Sequence, residues 1–149
     1  IQYRMHPDIS EFPRTIFYEG RLLDGENVLA EQYSKPYHQL GLLGPFRFFN
    51  IAYGAEQTSG RSSRANPAEA RFAIKLVDTL YSALPRDVLD TISIGIISPY
   101  NEQVRLLKQL VGASGLPKEF LAKSVEISTV DGFQVIANFV LSYDCDSAC

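Results

Sequence analysis

Two stretches combine hydroxyls, amides and an aromatic ring: Ser98-Pro99-Tyr100-Asn101 and Thr129-Val130-Asp131-Gly132-Phe133-Gln134. Hydroxyls and amides can hold phosphate oxygens, and a ring can stack on any base. Such a mixture suits a nucleic-acid strand gripped without sequence preference. Turn and cap duty is the blander account of Ser98 and Asn101. A third stretch, Gln2-Tyr3-Arg4-Met5-His6-Pro7, crowds hydrogen-bonding, stacking and charged groups together. An arginine that reaches an anionic transition state speeds phosphoryl transfer strongly, and a tyrosine can lie against a base. From these two residues alone, a surface arginine beside a packed tyrosine is the simpler account. His6 has no second ligand at metal spacing. The chain also has no Gly-x-x-x-x-Gly-Lys-Ser/Thr loop and no Gly-x-Ser-x-Gly elbow, so it is not expected to hydrolyse a nucleotide or hold a metal by itself.

These groups need elements to hold them. Ile92–Tyr100, written ISIGIISPY, is a near-continuous apolar run of the kind found in strands covered on both faces of a parallel sheet. Asn101–Gly115 reads as an amphipathic helix, with Val104, Leu107, Leu110 and Val111 on one face and Gly112 at its end. Val125–Phe133 gives a further strand and a turn. Upstream, Asn66 suits an N-cap, Pro67 the first helical position and Glu69 a capping box. Phe72, Ala73, Leu76, Val77, Leu80 and Leu84 then recur at helical spacing until Pro85. This alternation predicts an α/β domain whose ligands gather at strand ends. Nearer the start, Pro7 and Asp8 open a helix. Pro13 is expected to break it, through a kink or a second turn that carries Ile16, Phe17 and Tyr18 inward. Residues 21–45 read as irregular, Phe46–Ile51 as a buried strand and Gly54–Ala65 as a loop.

At 149 residues the chain is one domain by length, with an ordinary 46% hydrophobic and 21% charged composition. A net charge of -3 excludes a surface coated in positive charge but permits a local basic groove. No apolar run reaches membrane-spanning length, and Ile1–Ser10 lacks the order of a signal peptide. Both cysteines, Cys145 and Cys149, lie at the very end, so no disulfide framework or zinc spacing is expected. A reducing, intracellular setting follows.

Three segments, QYRMHPDISEFPRTIFYEG, IGIISPYNEQ and VEISTVDGFQ, occur in the order and approximate spacing of superfamily 1B helicases. They resemble most the nonsense-mediated-decay helicase and senataxin group, as do Ser63, Asn66, Glu69 and Ala70 in an S-x-x-N-x-x-E-A pattern. The resemblance covers residues 1–134. It implies the second RecA-like domain: an α/β, three-layer fold of the P-loop NTPase type with a mainly parallel sheet, truncated at its C-terminal end. It also implies roles. Arg4 approaches the γ-phosphate of ATP, Tyr3 lies beside the base and Gln134 belongs to the nucleotide side. Ser98, Pro99, Tyr100 and Gln103 meet nucleic acid, and Thr129, Val130, Asp131 and Phe133 couple that strand to the nucleotide. ATP and its Mg would be held by the first RecA-like domain, expected upstream, so this chain alone would bind neither. The implied partners are that domain and single-stranded RNA or DNA, in the nucleus or the cytoplasm and away from membranes.

The chain departs from the family after Gln134. The family continues Gly-Arg-Glu and later carries a second phosphate-facing arginine; here Val135-Ile136-Ala137 follows and the second arginine is absent. Losing one such arginine can cost a factor of ~10³ or more, so turnover is not expected from this polypeptide even with the first domain restored. Residues 135–149 read either as translated intron or a mispredicted gene end, since Gln134-Val135 can be encoded CAG-GT, or as real divergence, since Asn138–Ser142 resembles the family's next strand. An mRNA that runs continuous and unspliced across codon 134 would exclude the intron. The rival to a helicase fragment is a non-catalytic module that binds single strands or a protein. An upstream Gly-x-x-x-x-Gly-Lys-Thr segment separates the two.

Overall fold

The computed structural model of the chain describes residues 1–59, 63–132 and 139–142. The chain forms two compact units, Ile1–Asn50 and Ile51–Cys149. The domain boundary expected at residue 134 lies outside the described residues.

In the first unit, helix α1 spans Pro7–Phe17, with Pro7 at its first turn and the His6 ring accepting from the Asp8 N–H at 3.2 Å. A short helix α2, Glu26–Leu29, and two 3₁₀ turns, Glu31–Tyr33 and Pro36–Gln39, follow where irregular chain was expected. Val28, Tyr37 and Leu43 are almost fully buried. Two expectations fail here. Pro13 does not break α1, which runs on to Phe17, and Ile16, Phe17 and Tyr18 are exposed. The anchored side of α1 is polar: Ser10 and Arg14, one turn apart, both reach Asp24, which leaves Phe12 and Ile16 on the far side. Nor is Phe46–Ile51 a strand. It pairs with no strand among the described residues, and Phe46 and Phe48 are exposed. Aromatic content alone makes no strand without a ladder partner.

The second unit carries the parallel sheet. Helix α3, Pro67–Ala83, starts and stops as its cap and Pro85 dictate and buries Ala70, Ala73, Leu76, Val77 and Leu80. Strand β3, Ile94–Ser98, is central. It pairs in parallel with β4, Val125–Thr129, on one side and β5, Phe139–Ser142, on the other. Ile94, Gly95 and Ile96 are all buried, so both faces of β3 are covered there, as a continuous apolar run requires. Helix α5, Asn101–Gly112, packs on β3, β4 and α3, and α6, Lys118–Ser124, packs on β4. The short α4, Arg86–Leu89, precedes β3. The expected loop at 54–65 contains an antiparallel hairpin, β1 Gln57–Ser59 with β2 Ser63–Ala65. The α/β reading with a parallel sheet therefore holds. No helix among the described residues is long and apolar enough to cross a membrane.

Candidate functional site

The turn that carries Arg4 is built by Gln2. The main chain of Gln2 pairs with the segment around Asp24: its N–H donates to the Leu23 carbonyl and its carbonyl accepts from the Gly25 N–H, both at 2.8 Å. Its side chain then folds over the residues that follow. Oε1 accepts from the Arg4 N–H at 2.9 Å and the Met5 N–H at 2.7 Å, while Nε2 donates to the Met5 carbonyl at 2.8 Å and to Asp24 Oδ1 at 2.6 Å. The Tyr33 hydroxyl donates to the Arg4 carbonyl, and the Asn27 amide donates to the Tyr3 carbonyl at 2.9 Å. Both main-chain polar groups of Arg4 are thus held by side chains. Its guanidinium is exposed and has no partner among the described residues. The Tyr3 ring lies so close over Gly25 that a Cβ there would collide with it. A glycine lets the ring rest on bare main chain.

Asp24 is the hub below this turn. Its side chain is only 6% exposed and receives Gln2, the Ser10 hydroxyl at 2.7 Å and Arg14 at 3.4 Å. The hydrogen bond from Gln2 first, then that from Ser10 and the charges of Arg14 and His6, hold its carboxyl below the ordinary 3.8 against the upward push of burial. Because the folded value is depressed, this carboxylate stabilises the fold fully above pH 3.8 and loses that contribution as pH falls through the folded value. His38 packs edge-on against His6 at 5.5 Å between ring centroids. Burial first, and His6 and Lys35 next, hold it below 6.5, while Asp8 pulls the other way. The unfolded chain then binds the proton more readily, so acidification below 6.5 costs the folded state stability. Replacing His38 with Phe should flatten that loss. Denaturant unfolding at about pH 7.5 and about pH 5.5 measures it, and equal slopes for both proteins would refute it.

In the second unit, Ser98 and Thr129 are register partners at the carboxyl ends of β3 and β4. The two stretches singled out for nucleic acid therefore emerge side by side. Pro99, Val130 and Asp131 are exposed, Tyr100 and Thr129 are half-buried, and Ser98 is fully buried with its Oγ accepting from the Tyr100 N–H at 3.3 Å. Gln103 does not reach the surface at all. It is fully buried, its Oε1 accepting from the Asn66 N–H at 2.8 Å and its Nε2 donating to the Asn66 carbonyl at 3.3 Å. Asn66 Oδ1 caps α3 by accepting from the N–H groups of Ala68 and Glu69. Glu69 does not close a capping box; it accepts from the Asn66 amide at 3.0 Å, because Gln103 has taken the cap's N–H. Helix α5 has no side-chain cap of its own, and Ser63 supplies one, its Oγ accepting from the Glu102 N–H at 3.0 Å. Ser63, Asn66 and Glu69 thus fasten the starts of α3 and α5 beside the end of β3.

Phe133 and Gln134 lie outside the described residues, as do Val135–Asn138 and the two cysteines; Phe139–Ser142 forms β5. Among the described residues no group of three His, Cys, Asp or Glu could hold a metal ion. Three positioning residues escaped the sequence reading, Asp24, Tyr33 and Asn27, and Ser63 was singled out by its motif but without its role. The spacing of Ser63 from Asn66 was a visible signal, but its partner lies in another helix.

A family model described as AAA domain matches residues 1–136. The chain is 38% identical over 153 residues to Helicase SEN1 of Saccharomyces cerevisiae, covering 97% of this chain and 6% of that protein. It is 38% identical over 145 residues to Helicase sen1 of Schizosaccharomyces pombe, covering 97% of this chain and 8% of that protein. Against ATP-dependent helicase upf1 of Schizosaccharomyces pombe it is 36% identical over 138 residues, 90% of this chain and 14% of that protein. The chain spans a small part of the length of each. It belongs to this AAA-domain family in its superfamily 1 helicase form, and its fold is that of the RecA-like domain found in the senataxin and nonsense-mediated-decay group.

Proposed function

We propose that the chain serves as the second RecA-like domain of an ATP-dependent helicase acting on RNA or RNA–DNA hybrids inside the cell, and that it turns over no nucleotide alone. Arg4 carries this reading. Its N–H and carbonyl are tied down by Gln2 and Tyr33, while its guanidinium stands exposed and unpaired among the described residues. A fixed base under a free cation suits an anion delivered from outside the unit. The Tyr3 ring, resting on Gly25 and 60% exposed, offers a flat face for a base beside it. These two residues fit a nucleoside triphosphate whose phosphates and Mg are held by a first domain. The bound nucleotide supplies the phosphoryl group to be transferred; Arg4 supplies positive charge at its γ end.

The strand itself would run along the carboxyl ends of β3 and β4. Pro99, Tyr100, Thr129 and Asp131 form that edge, with Ser98 shaping the turn and Gln103 fixing the helix behind it. Opening and closing of the cleft between domains would move the strand. Titrating a single-stranded oligonucleotide into the intact helicase tests the edge. Tyr100→Ala should weaken binding by about 1–3 kcal/mol, the worth of one base–aromatic stack, with ATP affinity unchanged. Wild-type oligonucleotide affinity in that variant would remove the strand from this edge.

A further inference from the structure

We propose that Asp24 is a positioning residue for Arg4, acting through the side-chain amide of Gln2; the proposal rests on the nucleotide reading of Arg4 given above. A glutamine amide has a donor end and an acceptor end, and nothing in its shape decides which way it points. Here Asp24 decides. An ionised carboxylate only accepts, so Asp24 Oδ1 draws Nε2 of Gln2 to 2.6 Å. That leaves Oε1 for the N–H groups of Arg4 and Met5, at 2.9 and 2.7 Å. With the amide reversed, an oxygen would face the carboxylate and the Met5 carbonyl, and an NH₂ would face two N–H donors, leaving four contacts repulsive. The carboxylate is in turn immobilised by Ser10 and Arg14 of α1, and Ser10 is itself fully buried, with its hydroxyl also 3.0 Å from the Pro7 carbonyl.

The chain of contacts therefore runs from the buried face of α1 to Asp24, to Gln2, to the N–H of Arg4. Tyr33 closes the same turn from its other side at the Arg4 carbonyl. Asp24 also anchors α1 through Ser10 and Arg14. It lies in the turn before α2 and is too enclosed to meet a ligand. The depressed titration of its carboxyl agrees with an acid that works in ionised form. Loss of this acceptor would release the amide from its one side-chain anchor outside the turn and let the arginine turn sample other shapes. The guanidinium would then meet a γ-phosphate less often, while diphosphate binding, which needs no γ contact, would be spared.

The test uses the intact helicase carrying this domain and compares its affinity for a non-hydrolysable ATP analogue with that for ADP. Asp24→Leu should lower the preference for the triphosphate by about tenfold, the scale of a lost hydrogen bond to a charged group. Asp24→Asn, which can still present an oxygen to Gln2, should keep most of it. Arg4→Ala should lower the preference as well, and Asp24→Leu added to it should lower it no further. If Arg4→Ala leaves the preference intact, the nucleotide reading itself fails and this proposal with it. If Arg4→Ala lowers it and Asp24→Leu does not, the positioning role alone is overturned. Equal weakening of both nucleotides by Asp24→Leu also overturns it, because that marks general damage. Should Asp24→Leu fail to fold, Gln2→Leu takes its place, with the same loss expected and a retained preference counting against the proposal.

Discussion

Arg4→Ala in the intact helicase, with its Gly-Arg-Glu continuation in place, should reduce ATP turnover by about 10³-fold or more while leaving single-strand affinity unchanged. The size follows from the job. Charge builds on the transferring phosphoryl group in a site that excludes water, where a missing cation is not replaced by solvent. The selectivity follows from the geometry. The Arg4 turn is held through main-chain groups, and an alanine still offers its N–H to Gln2 and its carbonyl to Tyr33. The guanidinium holds nothing among the described residues, so its removal should change stability by no more than about 0.5 kcal/mol, as for other surface positions. Arg4→Lys should recover only part of the rate, since an ammonium keeps the charge but not the two-pronged donor geometry. Steady-state phosphate release and oligonucleotide anisotropy on the same preparations separate the two effects. Near-normal release from Arg4→Ala would place the arginine outside the nucleotide site.

Gln103→Leu should be the most damaging of the polar substitutions in the second unit, lowering stability by about 1–3 kcal/mol. Leucine matches glutamine closely in size, so no cavity opens. What is lost is the partner of the Asn66 N–H, a donor on a residue only 1% exposed. Water does not reach it, and an orphaned buried donor bears the full desolvation penalty. The Asn66 carbonyl is less affected because the Ala70 N–H still donates to it at 3.0 Å. Asn66→Ala should cost about 1 kcal/mol through loss of the α3 cap. The two changes should combine to less than their sum, because each removes part of one shared cluster. Thermal unfolding followed by far-UV circular dichroism suits a chain without tryptophan. A Gln103→Leu midpoint equal to wild type would mean that the Asn66 N–H finds another partner.

The elements read correctly from sequence are those whose signal is local. Pro7, Asn66, Pro67 and Pro85 mark helix boundaries through their own backbone chemistry, and α1 and α3 begin where they say. The apolar run at Ile94–Ser98 marks a strand covered on both faces, which is what β3 is. Two of the departures share a cause. Ile16–Tyr18 and Phe46–Ile51 are apolar and were assigned to the interior, but apolar content does not say which surface arrives to cover it. In this chain the helix that carries Phe12 and Ile16 is anchored by its polar side instead, through Ser10 and Arg14 to Asp24.

By itself the sequence determined the family, the α/β class and the residues Arg4, Tyr100 and Thr129 as points of interest, because motif order and local periodicity are properties of the chain in one dimension. Only the tertiary structure decided how those points are held. Asp24 meets Gln2 across 22 residues and Gln103 meets Asn66 across 37, and no spacing rule connects positions so far apart. It also moved Gln103 from the surface to the interior and set Ser98 against Thr129 at the carboxyl end of the sheet. A hydrogen bond is a short-range, directional contact, so which donor finds which acceptor is settled only when the fold has brought them together.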